Sequence, residues 1–404
     1  MTKVRQLPYG ELAKKGLNIR LAMEEATRCL LCDDAPCSHD CPAGTDPGRF
    51  IRAIRFRNFK GAARIIRENN ILGASCAEIC PQEHLCEKAC SRCGIDKPIR
   101  IGDLQAFAME QENSMRISVL EAGASCGKKV ACIGAGPSSL AVAAELAKMG
   151  VDVTIFDEND KAGGMMRYGI TPSRLSDAII DQDIKAVTDL GVKIVLNKRI
   201  EKDDVAKLVS DYDAVYVGVG QAASKMIPNM KGAELKGVTT ALPFLKNARI
   251  NQGKIGDLGR VVIIGGGDVA MDCASTAKQC GAKSVTVSCV EDWDTMPASK
   301  KEVDYVVDLG VTLIPAYKPV EVCGDDKVSA VKLVAMEGSS SLALDADTVI
   351  FAVGQKVSDD YKNIKAEGKV FVGGDAALVR GATVVEAVKS GKDIAKNIAK
   401  FLHI

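Results

Sequence analysis

Nine of the fifteen cysteines of this 404-residue chain lie between Cys29 and Cys93, in two compact runs. The first run, over residues 29–42, has the spacing Cys-x2-Cys-x4-Cys-x3-Cys-Pro, and the second, over residues 76–90, has Cys-x3-Cys-Pro-x4-Cys-x3-Cys. Close runs of four thiols with a Cys-Pro step are typical of paired [4Fe–4S] clusters, in which one cysteine of a run can bind the other cluster. The spacing therefore predicts two clusters and leaves open which cysteine binds which.

Zinc is the main alternative for these thiols, and inert thiols are a second one. Zinc sites usually pair two short Cys-x2–4-Cys hooks across a longer gap, whereas here the cysteines come in close fours. We interpret His39 and His84, which lie among the ligands, as polar surface residues. The isolated cysteines are predicted to be small core residues: Cys126, Cys132, Cys273, Cys280, Cys289 and Cys323.

Two glycine-rich turns each follow an apolar strand pattern and precede a helix of small residues. The three special positions are Gly134, Gly136 and Ser139 in the first turn and Gly265, Gly267 and Ala270 in the second. In such turns the first glycine allows a tight turn, the second lets the backbone approach a pyrophosphate, and the third small residue lets the helix pack on the strand. The alternative in each case is a tight turn without a ligand.

An acidic residue follows each turn at the distance expected for a ribose contact. Asp157 lies 23 residues after Gly134, and Glu291 and Asp292 end the corresponding strand pattern about 26 residues after Gly265. Two complete copies predict two dinucleotide sites, which suggests a flavin beside a nicotinamide.

The carboxy-terminal segment 370–395 reads as a strand, a glycine turn with an acid, and a helix. Asp375 and the start of that helix are candidates to hold the flavin, and residues 163–170 offer another close backbone approach. Residues 214–221 and 347–355 resemble paired crossovers between two domains. We therefore expect a nicotinamide domain inserted within a flavin domain.

Composition excludes several classes of protein. The chain is 47% hydrophobic and 26% charged with a net charge of +1, so neither nucleic acid nor an anionic membrane is an expected partner. No secretory signal or membrane span is expected, which favours the cytoplasm, where thiols stay reduced.

The fold class is predicted to be α/β with an amino-terminal all-α iron–sulfur domain and two Rossmann-like domains, one inserted in the other, with strands and helices alternating to the end. The predicted domains are 1–125 with two clusters, 126–221 and 353–404 for FAD, and 222–352 for NADH.

Four longer segments carry a family resemblance. They read RCLLCDDAPCSHDCPAGTDPGRFI, FRNFKGAARIIRENNILGASCAEICP, IGDLQAFAME and IIGGGDVAMDCAST. They resemble the flavin and iron–sulfur subunits of bacterial NADH-dependent dihydropyrimidine dehydrogenases. The chain is similar throughout to the amino-terminal part of the mammalian enzyme and, more distantly, to the glutamate synthase small subunit.

The resemblance implies a partition of the ligands. One cluster would take Cys29, Cys32, Cys37 and Gln105, and the other would take Cys41, Cys80, Cys86 and Cys90. Cys76 and Cys93 would then be non-ligands. Glutamate synthase small subunits tend to carry an acid at the position of Gln105, so this glutamine favours the pyrimidine branch.

The resemblance also implies a coenzyme. NADPH-using relatives place an arginine pair where this chain has Val290 and Glu291. A 2′-phosphate carries about −1.5 to −2 charges, which Glu291 would repel and Asp292 would repel further, whereas a free ribose hydroxyl could donate to Glu291. We therefore predict NADH; the alternative is that both acids belong to a solvated turn.

The glycine turns and the family resemblance together predict the residues that bind the cofactors. No side-chain general acid or base is predicted. The predicted FAD residues are Ala135, Gly136, Pro137, Ser138, Asp157, Gly164, Met165, Arg174, Gly374, Asp375, Thr383 and Val384. The predicted NADH residues are Gly265, Gly266, Gly267, Asp268, Val269 and Glu291.

The implied function is an NADH-oxidising subunit that passes electrons to a partner. The partner would be an FMN- and iron–sulfur-containing catalytic subunit, in a heterotetramer, that reduces uracil or thymine to the 5,6-dihydropyrimidine or runs the reverse reaction. This expectation fits a chain with no room for a further FMN-binding barrel of about 250 residues. The alternatives are a glutamate synthase or NADH:ferredoxin oxidoreductase subunit, a stand-alone diaphorase, and a non-enzymatic metal-binding interaction protein.

Overall fold

The computed structural model describes residues 8–11, 16–378 and 383–404. These form two compact units. The smaller unit contains Tyr168–Ser173 and Ala222–Lys356, together with residues 8–11, and the larger unit contains the rest of the described chain. No helix within the described ranges has the length and apolarity that crossing a bilayer would require.

The larger unit begins with helices, as predicted. They are α1 (Ile19–Arg28), α2 (Pro36–His39), α3 (Pro47–Arg55), α4 (Phe59–Asn69), α5 (Gly73–Ile79) and α6 (Ile101–Met115), with 3₁₀ turns at Gln82–His84 and Ser91–Gly94. Apolar residues at helical spacing give α3 and α4 one buried face each, and the side chains of Asp46 and Asn58 cap their amino termini. Phe50, Ile66 and Phe107 are fully buried in the core that these helices share.

Parallel strands connected by helices form the larger unit from residue 129 to residue 217. In chain order the elements are β1 (Lys129–Ile133), α7 (Pro137–Lys148), β2 (Asp152–Phe156), α8 (Met165–Tyr168), α9 (Asp177–Thr188), β3 (Lys193–Val195), α10 (Lys202–Asp211) and β4 (Ala214–Val217). β1 and β4 are almost wholly buried and apolar, as expected for central strands of a parallel sheet covered on both faces.

The smaller unit is built around a second parallel sheet. Its elements are β5 (Ala223–Ser224), β6 (Val238–Thr240), α11 (Ala241–Ile250), β7 (Arg260–Ile264), α12 (Asp268–Gln279), β8 (Ser284–Ser288), α13 (Lys300–Asp308), β9 (Thr312–Ile314), β10 (Tyr317–Gly324), β11 (Val328–Ala335), β12 (Ser341–Asp345), β13 (Thr348–Phe351) and β14 (Gln355–Lys356). The parallel sheet has the order β6-β13-β7-β8-β9. β5 and β14 pair antiparallel, one at each end of the inserted segment.

The predicted alternation of strand and helix is wrong between residues 317 and 345. There β10, β11 and β12 form an antiparallel meander without helices. Short turns containing Gly324 and Gly338 join the strands, and turns of this length can connect only antiparallel neighbours.

The chain then returns to the larger unit through β15 (Val370–Val372), a 3₁₀ turn at Gly374–Ala377, and α14 (Val384–Leu402). β15 completes a parallel sheet of order β15-β4-β1-β2-β3. α14 packs closely on α7, because a Cβ added to Gly391 would lie 2.4 Å from the Ser138 carbonyl oxygen. Segments far apart in sequence therefore meet at the carboxyl edge of this sheet, where ligands of α/β folds bind.

Candidate cofactor sites

The first thiol-lined cavity, here called the Cys29 cavity, contains Cys29, Cys32, Cys37 and Cys90 in its wall. Cys29 caps the carboxyl end of α1, α2 carries Cys37, and Cys90 begins the second 3₁₀ turn. That turn is tied to α1, because Arg92 Nη1 donates to the Arg28 carbonyl oxygen at 3.0 Å. The tie brings the end of the second cysteine run to the start of the first.

The second cavity, here called the Cys41 cavity, is lined by Cys41, Cys76, Cys80, Cys86 and Gln105. Cys80 caps the carboxyl end of α5, and Gln105 lies on α6. Gln105 Nε2 donates to the carbonyl oxygen of Gly73 on α5 at 2.7 Å. This bond leaves the amide oxygen of Gln105 as the atom that can bind a metal.

The cavities group these side chains differently from the ligand partition that the family resemblance implies. Cys90 lies with Cys29, Cys32 and Cys37, and Gln105 lies with the Cys41 group. The physical reason is the packing of α5 against α6, which turns Gln105 toward the thiols of the second run. The structure also brings Cys76, expected to be a non-ligand, to the wall of the Cys41 cavity.

The chemistry of both walls suits iron–sulfur clusters. Burial raises the pKa of Cys37 to about 11. The pKa of Cys80 is raised mainly by a hydrogen bond with Cys76, and burial raises it further. These two thiols are therefore protonated in the metal-free protein, and binding of iron would release their protons. Thiolates are soft ligands that suit an iron–sulfur cluster, as they also suit zinc.

The other cysteines and the two histidines lie away from the cavity walls. Cys93 is exposed and donates to the Glu87 carbonyl oxygen at 3.4 Å, and His39 and His84 are exposed, as predicted for the histidines. Of the isolated cysteines, Cys132, Cys273 and Cys289 are buried, as predicted, and Cys280 and Cys323 are half-buried. The prediction for Cys126 is wrong, because it is exposed in the extended segment that precedes β1.

The first glycine turn opens space at the start of α7. Gly134 has φ +91°, and a Cβ there would lie 2.8 Å from the Gly218 carbonyl oxygen. Gly136 caps the amino terminus of α7, and a Cβ on it would have no atom within 4 Å. The amino terminus of α7, which begins at Pro137, therefore faces open space beside Gly136. A helix amino terminus that is open in this way can bind a pyrophosphate through its backbone N–H groups.

Asp157 directly follows β2 and is held beside this turn. It is buried and accepts from Ala135 N at 2.6 Å, from Asn159 N at 2.8 Å and from Asn159 Nδ2 at 2.9 Å. A carboxylate has about four acceptor sites, so these three bonds fix Asp157 and leave capacity for a ribose hydroxyl. Sequence reasoning missed Asn159, whose position two residues after the acid is a typical Asx-turn signal.

Two further segments meet this turn. A Cβ on Gly164 would lie 2.8 Å from Gly136 Cα, and Gly163 N donates to the Ala135 carbonyl oxygen at 2.9 Å. Met165 begins α8 directly after them, and Arg174 is half-buried in the segment before α9.

The carboxy-terminal turn lies against α7. A Cβ on Gly374 would lie 2.8 Å from Ser138 Cβ, and Asp375 follows in the 3₁₀ turn. Gln221, which sequence reasoning missed, donates from Nε2 to the Leu378 carbonyl oxygen at 2.9 Å and so fixes the end of this turn. Thr383 caps α14 in a reciprocal capping box, and Val384 is the first residue of the helix. The structure therefore brings residues 135–138, 164 and 374 together.

The second glycine turn lies in the smaller unit. Gly265 has φ +142°, and a Cβ there would lie 2.3 Å from the Ala352 carbonyl oxygen. Gly267 caps α12 and faces open space, and Asp268 and Val269 begin the helix. Asp268 Oδ1 accepts from Ser299 N at 2.8 Å, so this carboxylate fixes the neighbouring loop.

Glu291 is the acid beside this turn. A Cβ on Gly266 would lie 2.7 Å from Glu291 Oε2. Asp292 Oδ1 instead accepts from Thr295 N at 2.8 Å and from Thr295 Oγ1 at 2.6 Å, within its own loop. β8 ends at Ser288, four residues before Asp292, where the sequence pattern placed its end, so both acids lie in a loop after the strand.

Comparisons with known proteins agree with this arrangement. Residues 9–117 match the family model for dihydropyrimidine dehydrogenase domain II, 4Fe-4S cluster. Residues 132–182 match an NAD(P)-binding Rossmann-like domain, and residues 201–391 match pyridine nucleotide-disulphide oxidoreductase. The chain is thus an oxidoreductase that carries iron–sulfur, flavin and pyridine-nucleotide modules.

Relatives match along nearly the whole chain. An NAD-dependent dihydropyrimidine dehydrogenase subunit PreT from Salmonella typhimurium is 42% identical over 98% of this chain and 98% of its own length. The glutamate synthase [NADPH] small chain of Escherichia coli K12 is 30% identical over 100% of this chain and 96% of its own. Among solved structures, Mycobacterium tuberculosis FprA in complex with NADPH shares the fold, with TM-score 0.59 and 17% identity over 68% of this chain and 84% of that one. The chain therefore belongs to the family of NAD-dependent dihydropyrimidine dehydrogenase PreT subunits.

Proposed function

We propose that this chain oxidises NADH and delivers the electrons to a partner subunit that interconverts uracil or thymine and the 5,6-dihydropyrimidine. The observation that carries the proposal is the 42% identity over 98% of the chain to subunits named for this activity. The order of modules along the chain, with thiol cavities followed by two glycine-turn domains, supports it.

The proposed ligand sets follow the cavity walls. One cluster would be held by Cys29, Cys32, Cys37 and Cys90, and the other by Cys41, Cys80, Cys86 and Gln105. Gln105 is preferred to Cys76 as the fourth ligand because its amide nitrogen is already bonded to Gly73, which leaves the oxygen for iron.

The positions of the cavities support an order between them. Val385 of α14 lines the Cys41 cavity, and α14 begins at the proposed flavin residues Thr383 and Val384. Ile101 lines both cavities and so separates them. Leu30, 47% exposed, lies on the rim of the Cys29 cavity. We infer that the Cys41 cavity is nearer the flavin and that the Cys29 cavity faces the partner.

The bound cofactors supply the electron chemistry, since a flavin takes hydride from a nicotinamide and releases single electrons to iron–sulfur clusters. The chain supplies binding and orientation. The amino terminus of α7 and Asp157 are proposed to hold the FAD pyrophosphate and ribose, and the turn at Gly374 to approach the flavin itself. The amino terminus of α12 is proposed to hold the NADH pyrophosphate.

NADH is proposed as the coenzyme because Glu291 lies beside the second glycine turn. Its carboxylate next to Gly266 would accept from the ribose hydroxyls of NADH and repel the 2′-phosphate of NADPH. Val290 is 46% exposed and supplies no positive charge there.

The partner is proposed to be an FMN- and iron–sulfur-containing catalytic subunit, assembled with this chain as a heterotetramer. Relatives are named as subunits, which supports a partner but leaves its composition open to test. A cytoplasmic location is proposed because all fifteen cysteines are free thiols in the structure.

The test is anaerobic turnover by the complex of this chain with its copurifying partner. The complex is expected to oxidise NADH only when uracil or thymine is present and to release the dihydropyrimidine in equal amount. The matched control is Cys32→Ser, which is expected to stop pyrimidine reduction while NADH still reduces the flavin. Turnover with glutamine and 2-oxoglutarate instead of pyrimidines would overturn the proposal in favour of a glutamate synthase small chain, to which this chain is 30% identical.

A further inference from the structure

A half-buried lysine on α14 reaches the loop that carries Cys41. Lys392 Nζ donates to the carbonyl oxygens of Ala43 and Asn69, both at 2.6 Å. Lys392 lies seven positions, or two helical turns, after Val385, so the side chains of both residues lie on the same face of α14. That face is the one that forms a wall of the Cys41 cavity.

The loop that accepts from Lys392 is a tight turn that starts at Cys41. Gly44 N donates to the Cys41 carbonyl oxygen at 2.9 Å, and Gly44 has φ +73°. A Cβ on Gly44 would lie 3.9 Å from Lys392 Nζ, so the turn wraps around the amine. The other acceptor, Asn69, is the last residue of α4. One amine therefore joins α14 to the Cys41 turn and to the end of α4.

The charge of this amine bears on any cluster held by Cys41. Thiolate-bound clusters are anionic, and each one-electron reduction adds a negative charge. Burial and, to a smaller extent, the neighbouring lysines lower the pKa of Lys392, and Glu145 and Cys41 offset part of this shift. The two carbonyl acceptors suit an ammonium group. A cation beside the turn favours the reduced form more than the oxidised form and raises the reduction potential, an effect that is large where water is partly excluded.

We propose that Lys392 is a positioning residue that fixes the Cys41 turn from the flavin domain and whose positive charge raises the reduction potential of the cluster in the Cys41 cavity. The inference rests on the proposed function in one respect only, namely that this cavity holds a redox-active cluster. It assigns to α14 a second role besides contact with the flavin site, because the same helix would set how readily the neighbouring cluster accepts an electron.

The test is a redox titration of the anaerobic protein with mediators, followed by electron paramagnetic resonance, and needs neither NADH nor a partner. Lys392→Met is expected to lower the ratio of reduced to oxidised cluster about tenfold at fixed potential, which is about 59 mV for a one-electron couple. The affected cluster should be the one whose spectrum Cys80→Ser alters. Lys396→Met is the matched control, because Lys396 is 70% exposed one turn further along α14; its ratio should change less than twofold.

Two further variants separate charge from hydrogen bonding. Lys392→Arg keeps the charge and is expected to stay within about twofold of the wild type, whereas Lys392→Gln keeps N–H donors without charge and should shift as Lys392→Met does. If Lys392→Met loses the cluster, the arginine and glutamine variants still decide. Full iron content with unchanged potentials in Lys392→Gln would overturn the inference but leave the proposed function standing. Absence of iron from the wild-type protein would instead overturn the proposed function.

Discussion

Replacing Asp183 by asparagine is expected to destabilise the larger unit more than the removal of any solvent-exposed charge would. Asp183 lies on α9, is fully buried and accepts from Arg67 Nη1 at 2.5 Å, Ser75 N at 2.7 Å and Ala74 N at 3.2 Å. Arg67 on α4 is 1% exposed and also bonds Glu112 on α6 at 2.7 Å. Burial alone would lower the pKa of Arg67, but these two carboxylates raise it, so the guanidinium stays charged.

The magnitude follows from what the substitution leaves behind. Asparagine can still accept hydrogen bonds from the backbone amides of α5, but its neutral amide group cannot balance the positive charge of Arg67. Removing one partner of a buried ion pair lowers the free energy of unfolding by about 3–5 kcal/mol. We expect a loss of about 3 kcal/mol, because Glu112 keeps part of the charge balance. For a unit of this size that lowers the melting temperature by roughly 6–12 °C, at about 2–4 °C per kcal/mol.

The assay is calorimetry of the metal-free and iron-loaded protein, following the transition of the unit that contains the cysteines. The matched control is Asp189→Asn, which removes an exposed partner of Lys185 and should cost about 0.2–1 kcal/mol. Because Asp183 binds the start of α5, the variant should also lose iron from the Cys41 cavity sooner than from the Cys29 cavity. Equal melting temperatures for the two variants would show that the buried network does not hold the helices to α9.

Four other variants test the proposed sites. Gln105→Leu should alter the spectrum of one cluster and leave FAD in place, whereas Cys76→Ala should leave both clusters unchanged; the reverse result would make the thiol the fourth ligand. Cys90→Ser should alter the other cluster, the one with Cys29, and a change in the Gln105-dependent spectrum would refute the cavity grouping. Val290→Arg combined with Glu291→Arg should shift the preference for NADPH over NADH by roughly 10- to 100-fold, about 1.4–2.7 kcal/mol, in anaerobic stopped-flow flavin reduction. A wild type that uses both coenzymes equally would contradict the role of Glu291.

The sequence predicted the fold because its strongest signals are local. Apolar spacing predicted the amino-terminal helices, and each glycine turn, with an apolar strand before it and small residues after it, predicted a Rossmann unit. The antiparallel meander was missed because the short turns between its strands, such as the one after Gly324, are the signal that separates hairpins from strand–helix units, and the prediction did not use them.

The candidate sites were predicted less completely, because their details depend on contacts between distant segments. Spacing located the thiols, but the position of Gln105 is set by α5 packing on α6, and that of Cys90 by the bond from Arg92 to α1. Asp183 and Lys392 carry no sequence signal at all, since each looks like an ordinary charge on a helix face. Their roles follow from burial and from partners more than 100 residues away.

The interleaving of the two cavities has a consequence for biogenesis. Cys90 lines the Cys29 cavity, but along the chain it follows Cys80 and Cys86, which line the Cys41 cavity. Cys41 precedes these three cysteines in the sequence. On the proposed ligand sets, the cluster of the Cys29 cavity cannot be completed in a nascent chain until residues 29–90 have emerged, and the cluster of the Cys41 cavity cannot be completed until residues 41–105 have emerged. Damage by oxygen at either cluster would likewise act on Ile101, the wall residue that the two cavities share.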